Sequence, residues 1–159
     1  PIAGTGDSDR VRTDIGSGEA NLVTESEGLI LLFTPAFDKT ASDVGYINGS
    51  PPGVRENGGQ YTHAATWVAM AFARQGDGDK AVRLLRMLIP IERARNEKDC
   101  NRYKVEPYVI PGDIYSLADH VGRGGWTWYT GAAAWTYRVW LGEIRGFQRR
   151  GDTLAITPA

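Results

Sequence analysis

The sequence predicts a mainly α-helical domain with long loops, arranged as a two-layer array of helices. Two observations predict this fold class: helices that are apolar on most faces alternate with an amphipathic one, and long loops precede the apolar helices. A third observation is size, because 159 residues suffice for one domain with its own hydrophobic core. The hydrophobic content of 42% and the charged content of 23% are those of an ordinary globular protein.

Three segments carry helical patterns. The segment 61–74 is apolar nearly all the way round, so we expect a helix that is buried on most faces. The segment 79–90 has an apolar stripe opposite its basic residues, and Asp79 is expected to cap its first turn. A third helix is predicted for 130–147, with Thr130 as the residue that caps its start.

The remaining segments have weaker patterns. Residues 7–20 are at best weakly helical, because two glycines interrupt them. The apolar run 28–35 fits a buried strand or a buried extended segment, and 152–158 fits a terminal strand. Residues 104–125 form a long loop by composition, which we expect to hold a short strand at 108–110.

Charge and cysteine content exclude several classes of function. A net charge of −1 gives no case for nucleic acid or for an anionic membrane surface as the partner. The single cysteine, Cys100, cannot form an internal disulfide, so we expect a reducing, cytoplasmic setting. Two histidines and one cysteine that lie far apart do not have the spacing of a zinc site, and we expect no metal.

The segment PPGVRENGGQYTHAATW, residues 51–67, is a first candidate site. Arg55 and Glu56 together offer donors and acceptors that suit a hydroxyl-rich ligand. His63 lies in the first turn of the predicted helix, whose free N–H groups and dipole favour an anion. The alternative is a glycine turn before a capped helix, with His63 bonded to a backbone carbonyl. The residues of this segment alone favour that alternative.

The segment GRGGWTWYTGAAAW, residues 122–135, is a second candidate site. The Thr130 hydroxyl and the first N–H groups of the predicted helix together make a small socket for an anion. Gly131 weakens the helix where alanine would pack equally well, which indicates close approach by another group. Trp126 and Trp128 fit either a sugar-stacking wall or the core, and the residues alone favour the core.

The segment RYKVEPYVIPGDIYS, residues 102–116, carries two carboxylates in a loop rich in tyrosine. A pair of carboxylates such as Glu106 and Asp113 is what most glycosidases use to cleave a glycosidic bond. The alternative is a loop held by salt bridges and caps.

Together these three segments resemble the inverting glycoside phosphorylases of the cellobiose-phosphorylase type, in particular the phosphorylase-like C-terminal region of cyclic β-1,2-glucan synthases. The resemblance covers essentially the whole chain and rests on long, ordered motifs. It implies the C-terminal portion of an (α/α)6 barrel for residues 1–150 and the start of a C-terminal β-domain for residues 151–159. It also implies an enzyme in which inorganic phosphate, as co-substrate, attacks β-glucosidic bonds of β-1,2-glucan with inversion, with no cofactor.

The resemblance also implies roles for individual residues. It assigns three of them to phosphate: His63, Thr130 and Gly131. It assigns five to the sugar: Arg55, Glu56, Glu106, Tyr108 and Trp128.

Two family features have no match in this sequence. The general-acid aspartate, in an Asp-Trp-Asn-Asp-like motif, and an upstream phosphate-binding arginine are expected before Pro1, so no residue of this chain is assigned as catalytic. Gly112 stands where some disaccharide phosphorylases carry a sugar-binding glutamine, which argues against cellobiose. We therefore expect a piece of a longer protein that catalyses no phosphorolysis by itself.

The expected partners are β-glucan oligosaccharide, phosphate and the rest of the catalytic domain, in the same or a longer parent chain. Apolar faces left without that domain would favour self-association. The resemblance also allows the parent enzyme to be attached to the inner membrane through other segments. The alternative function is a non-catalytic helical module that binds carbohydrate or phosphate, whereas a purely structural fragment would bind neither.

Overall fold

The computed structural model describes residues 6–39, 43–128 and 130–159, without the side chain of Thr130. These residues form five α-helices: α1 (Ser8–Leu22), α2 (Thr62–Arg74), α3 (Gly78–Leu88), α4 (Glu97–Tyr103) and α5 (Thr130–Arg138). Short strands pair as antiparallel ladders: β1 (Val23–Thr24) with β2 (Leu29–Ile30), β3 (Gln60–Tyr61) with β4 (Asp113–Ile114), and β5 (Phe147–Arg150) with β6 (Thr153–Ile156). The predicted mainly helical class is confirmed, and the (α/α)6 barrel stays a prediction.

Helix α2 lies at the centre of the core. Its alanines allow three elements to pack closely against it: α3, α5 and the π-helical turn that follows α5, Val139–Ile144. The buried residues of α2 lie on most of its faces, as predicted for 61–74. Helix α3 contributes an apolar stripe, which is also as predicted: Ala81, Leu84, Leu85 and Leu88. No helix in the described ranges is both long and apolar enough to span a bilayer.

The cap of α3 differs from the prediction. Asp77, not Asp79, is the N-cap, and its carboxylate accepts a hydrogen bond from the Lys80 N–H at 3.1 Å. The chain turns at Gly76, where φ is 82°, so the helix begins one residue earlier than predicted. Asp79 therefore lies inside the first turn, where its charge faces the helix dipole.

We expect Asp77→Ala to lower the free energy of unfolding by about 1 kcal/mol, because it removes the only side-chain acceptor of the cap. The matched control, Asp79→Ala, removes only a charge near the dipole and should cost about 0.5 kcal/mol or less. Urea unfolding followed by circular dichroism measures both. Equal losses would contradict the assignment of Asp77 as the cap.

Helix α1 is continuous, so the prediction of weak helicity for residues 7–20 is wrong. Asp7 caps the helix by accepting hydrogen bonds from the N–H groups of Asp9 and Arg10. The two glycines cost about 1 kcal/mol each. Contacts from elsewhere offset this cost, since Glu19 pairs with Lys80 of α3 and Ile15 packs against the core.

The strand predicted at 108–110 is also wrong. The loop forms a turn there, and the strand β4 lies at Asp113–Ile114, where β3 supplies a partner. A strand of this length depends on its partner rather than on its own residues, because an isolated extended segment has no ladder bonds. The apolar run 28–35 does contain a buried strand, β2.

The predicted helix over 130–147 ends earlier than expected. Its α-helical part continues as a π-helical turn over Val139–Ile144, and Gly146, with φ of 66°, ends it. The predicted terminal strand is confirmed as β6, which pairs with β5 in a hairpin whose side chains are exposed. The hairpin crosses the predicted boundary at 150/151, and the division into two domains stays a prediction.

Candidate functional site

The β3–β4 ladder brings the three candidate segments together. Tyr61 pairs with Asp113 across the ladder, and the Thr62 N–H donates to the Gly112 carbonyl at 2.9 Å. The Gly112 N–H in turn donates to the carbonyl of Trp126, in the third segment. The ladder and these two backbone bonds therefore hold all three segments next to one another.

Arg55 and Trp126 form one wall of a small pocket, here called the Arg55 pocket. The Arg55 guanidinium carbon lies 4.5 Å from the centroid of the Trp126 indole, in cation–π geometry. The pocket has a volume of about 50 Å³, which suits one substituent of a ligand rather than a whole sugar ring. Its lining consists of Arg55, Glu56, Tyr61, Gly112, Asp113 and Trp126.

Asp113 lies beneath this pocket and is only 1% exposed. Its Oδ2 accepts from the Arg55 N–H at 3.1 Å, and its Oδ1 accepts from the Trp126 N–H at 2.9 Å. Burial raises the pKa of the Asp113 carboxyl, and the two backbone donors and the Arg55 charge oppose this shift. Both oxygens are thus committed to holding the backbone.

His63 lies among aromatic rings at the start of α2. Its imidazole stacks against Tyr61, with centroids 6.3 Å apart, and against Trp135, with centroids 5.9 Å apart. Trp67 meets the imidazole edge-on at 5.3 Å. The buried Nε2 has no hydrogen-bond partner within the described part of the chain, so the backbone carbonyl of the alternative interpretation is not found there.

Gly131, in the first turn of α5, faces His63. A Cβ built on Gly131 would lie 3.9 Å from His63 Nδ1, and apart from its chain neighbours and its own helix backbone it would meet no other described atom within 4 Å. The close approach expected at this glycine is therefore not made by any described residue. Thr130 is the first residue of α5 rather than its cap, and the predicted bonding of its hydroxyl lies outside the described residues.

Glu106, Tyr108 and Trp128 form a second group. The Trp128 Nε1–H donates to Glu106 Oε1 at 3.3 Å, and the Tyr108 and Trp128 rings lie 6.5 Å apart. A hydrogen bond from its own backbone N–H, together with the Trp128 bond, lowers the pKa of the Glu106 carboxyl. As far as the described residues go, this group does not line the Arg55 pocket.

The core interpretation of the two tryptophans, which the residues alone favoured, is wrong. Trp126 is 53% exposed and Trp128 is 67% exposed, so neither belongs to the core of this chain. Both lie on the loop between β4 and α5, which leads their rings outward. Glu106 and Asp113 do not form a carboxylate pair, because Asp113 is committed to backbone donors and Glu106 to Trp128.

The sequence also left some members of this site unassigned. Tyr61, Trp67 and Trp135 surround His63, and Trp126, not Trp128, lines the Arg55 pocket. The spacing of His63 and Trp67, four residues apart on a helix, is a signal that could have found one of them. Across the described ranges, no three His, Cys, Asp or Glu side chains gather as a metal ion would need.

Comparison with known proteins identifies the family of the chain. The family model of the Glycosyl hydrolase 94 superfamily, catalytic domain, matches residues 1–146. The cyclic beta-(1,2)-glucan synthase NdvB of Rhizobium meliloti (strain 1021) is 49% identical over 157 residues, which are 99% of this chain and 6% of that protein.

Two phosphorylases are more distant relatives. The N,N'-diacetylchitobiose phosphorylase of Vibrio furnissii is 32% identical over 130 residues, and the solabiose phosphorylase of Paenibacillus borealis is 28% identical over 129 residues. Each match covers 80% of this chain and 16% of the relative, so the chain spans a small share of their length. The predicted resemblance is confirmed: the chain belongs to the Glycosyl hydrolase 94 superfamily, and its residues 1–146 match the catalytic domain of that family.

Proposed function

We propose that this chain is the part of a phosphate-dependent enzyme that holds inorganic phosphate and the acceptor-side sugar while a β-glucosidic bond is cleaved or formed with inversion. The observation that carries the proposal is that His63 Nδ1 faces Gly131, at the start of α5, and lies 3.9 Å from the position of a Cβ built there. The name of the 49% identical relative supports β-1,2-glucan as the substrate. The rest of the catalytic domain is the proposed partner, and self-association stays a prediction.

The proposed phosphate site combines a helix start with an imidazole. The first N–H groups of α5 have no partner inside the helix, and with the dipole they favour an anion. His63 adds an imidazole to this helix start, because its Nδ1 lies 3.9 Å from the position of a Cβ built on Gly131. A phosphate oxygen bound beside Gly131 would accept a hydrogen bond from an imidazole N–H in this place.

The proposed sugar contacts lie on the neighbouring loops. The Arg55 guanidinium and the Glu56 carboxylate offer donors and acceptors to hydroxyl groups of the acceptor sugar, within a pocket sized for one substituent. The exposed Trp126 ring offers a flat apolar face beside them. Glu106, Tyr108 and Trp128 provide a second aromatic and polar surface.

In the proposed reaction, phosphate attacks the anomeric carbon directly, so no second carboxylate is needed as a base. Helix-start donors and His63 hold the phosphate charge in place before and during the attack. The departing glycosidic oxygen takes a proton from a carboxylic acid, for which we assign no residue of this chain. Asp113 is not a candidate, because both of its oxygens accept backbone N–H groups.

The test uses the full-length protein that carries these residues, incubated with β-1,2-gluco-oligosaccharides and inorganic phosphate. Phosphorus NMR should detect the α anomer of glucose 1-phosphate, because inversion of a β bond yields an α product. Free glucose released without consumption of phosphate would contradict the proposal.

The second candidate is a binding module without turnover, which the placement of His63 Nδ1 opposite Gly131 also permits. Calorimetry with phosphate and with β-1,2-gluco-oligosaccharides detects such a module. Binding without formation of sugar phosphate by the full-length protein would favour this second function.

A further inference from the structure

We infer that Asp113 is a positioning residue, which sets the acceptor-sugar contact by joining the loop of Arg55 to the loop of Trp126. The inference rests on the proposed function, since it concerns the same pocket. It adds a role for a buried carboxylate whose two oxygens both accept backbone hydrogen bonds.

The two backbone donors to Asp113 belong to the two residues whose side chains stack on each other. Arg55 donates to Oδ2 and Trp126 donates to Oδ1, while the Arg55 guanidinium lies 4.5 Å from the Trp126 ring. These residues are 71 positions apart in sequence, and a single carboxylate holds both backbones. The geometry of the pair therefore depends on Asp113.

The backbone on both sides is adapted to this carboxylate. Gly125 has no Cβ, and a Cβ there would collide with Asp113 Oδ1, so glycine allows the loop before Trp126 to come close. Arg55 has a φ of 50°, in the left-handed region that non-glycine residues seldom adopt. The hydrogen bond from its N–H to Oδ2 helps to hold it there.

The carboxylate is itself held in a fixed place. Asp113 lies in β4, opposite Tyr61 of β3, and is 1% exposed. Movement of either loop would leave a buried carboxylate oxygen without its donor, which is unfavourable. The Arg55 pocket is therefore formed before a sugar arrives, which reduces the entropy lost on binding.

The test is Asp113→Asn in the full-length protein. The amide has the same shape, but its NH₂ group faces one of the two backbone N–H groups, so one bond is lost. We expect the KM for oligosaccharide to rise about tenfold, the effect of losing one hydrogen bond to a charged group. The KM for phosphate should stay within about twofold, because His63 and α5 do not contact Asp113.

Two further variants separate positioning from general damage. Gly125→Ala pushes the same loop away from the carboxylate and should raise the KM for oligosaccharide in the same way. Ser116→Ala is the matched control: its hydroxyl donates to the Gly58 carbonyl at 2.9 Å, so it links the segment of Asp113 to the loop of Arg55 through a different bond. It should leave both KM values unchanged.

Hydrogen exchange of the ligand-free protein provides a readout that does not depend on turnover. Asp113→Asn should speed exchange at the Arg55 and Trp126 amides, and Ser116→Ala should not. Unchanged exchange at both amides, or equal rises in the two KM values, would overturn the inference. If the wild-type protein forms no sugar phosphate, the proposed function fails, and calorimetric affinity for oligosaccharide replaces KM in the same comparison.

Discussion

Replacing His63 by alanine in the full-length protein should raise the KM for phosphate and lower phosphorolysis at low phosphate roughly 100-fold. Apart from the chain neighbours of Gly131, the imidazole is the only described side chain within 4 Å of the position that a Cβ on Gly131 would occupy. Without it, the start of α5 is the remaining part of the proposed phosphate site among the described residues. The oligosaccharide KM should change much less, because Arg55 and Trp126 keep their contacts with Asp113.

The chain supplies its own control for this substitution. His120 is the other histidine, and it is exposed on a short 3-10 turn, so His120→Ala should leave both KM values unchanged. Removing His63 also leaves space between Tyr61 and Trp135, which lowers stability. A loss of stability alone would lower the activity without raising the KM for phosphate. A fall in kcat with an unchanged phosphate KM would therefore remove His63 from the proposed site.

Much of the helical fold could be predicted, because helices α2 and α3 carry their burial pattern in their own residues. Their predicted starts lie within one residue of those observed. The helicity of α1 was underestimated because its stabilising contacts come from elsewhere in the chain. Its two glycines are a local cost, whereas the ion pair between Glu19 and Lys80 joins it to a helix more than 50 residues away.

In the candidate site, too, the features set by local residues could be predicted, whereas the contacts between distant segments could not. Each of its three segments is recognisable by residue type, and the resemblance named the family correctly. The choice between Trp126 and Trp128 depended on which ring meets Arg55, a contact between distant loops. The backbone bonds of Asp113 are long-range as well, so spacing along the chain could not distinguish a catalytic pair from a structural carboxylate.

Gly131→Ala should raise the KM for phosphate roughly 30-fold, while the protein keeps its fold. The new methyl group would lie 3.9 Å from His63 Nδ1, an ordinary contact, so no described residue has to move. It would occupy the space in which a phosphate oxygen could accept from both the imidazole and the start of α5. Alanine is also the better helix former, by up to about 1 kcal/mol, so the free energy of unfolding should not fall.

Gly142→Ala is the matched control, since Gly142 lies in the π-helical turn after α5 and a Cβ there meets nothing within 4 Å. Both variants add one methyl group to the same helical segment, but only Gly131 faces His63. Phosphate titrations of the two full-length variants, with thermal unfolding of each, therefore separate site occupancy from helix stability. An unchanged phosphate KM in Gly131→Ala would show that phosphate binds elsewhere. A phosphate KM raised equally in both would show that the effect comes from the helix as a whole, because only one of the two methyl groups reaches the space beside Nδ1.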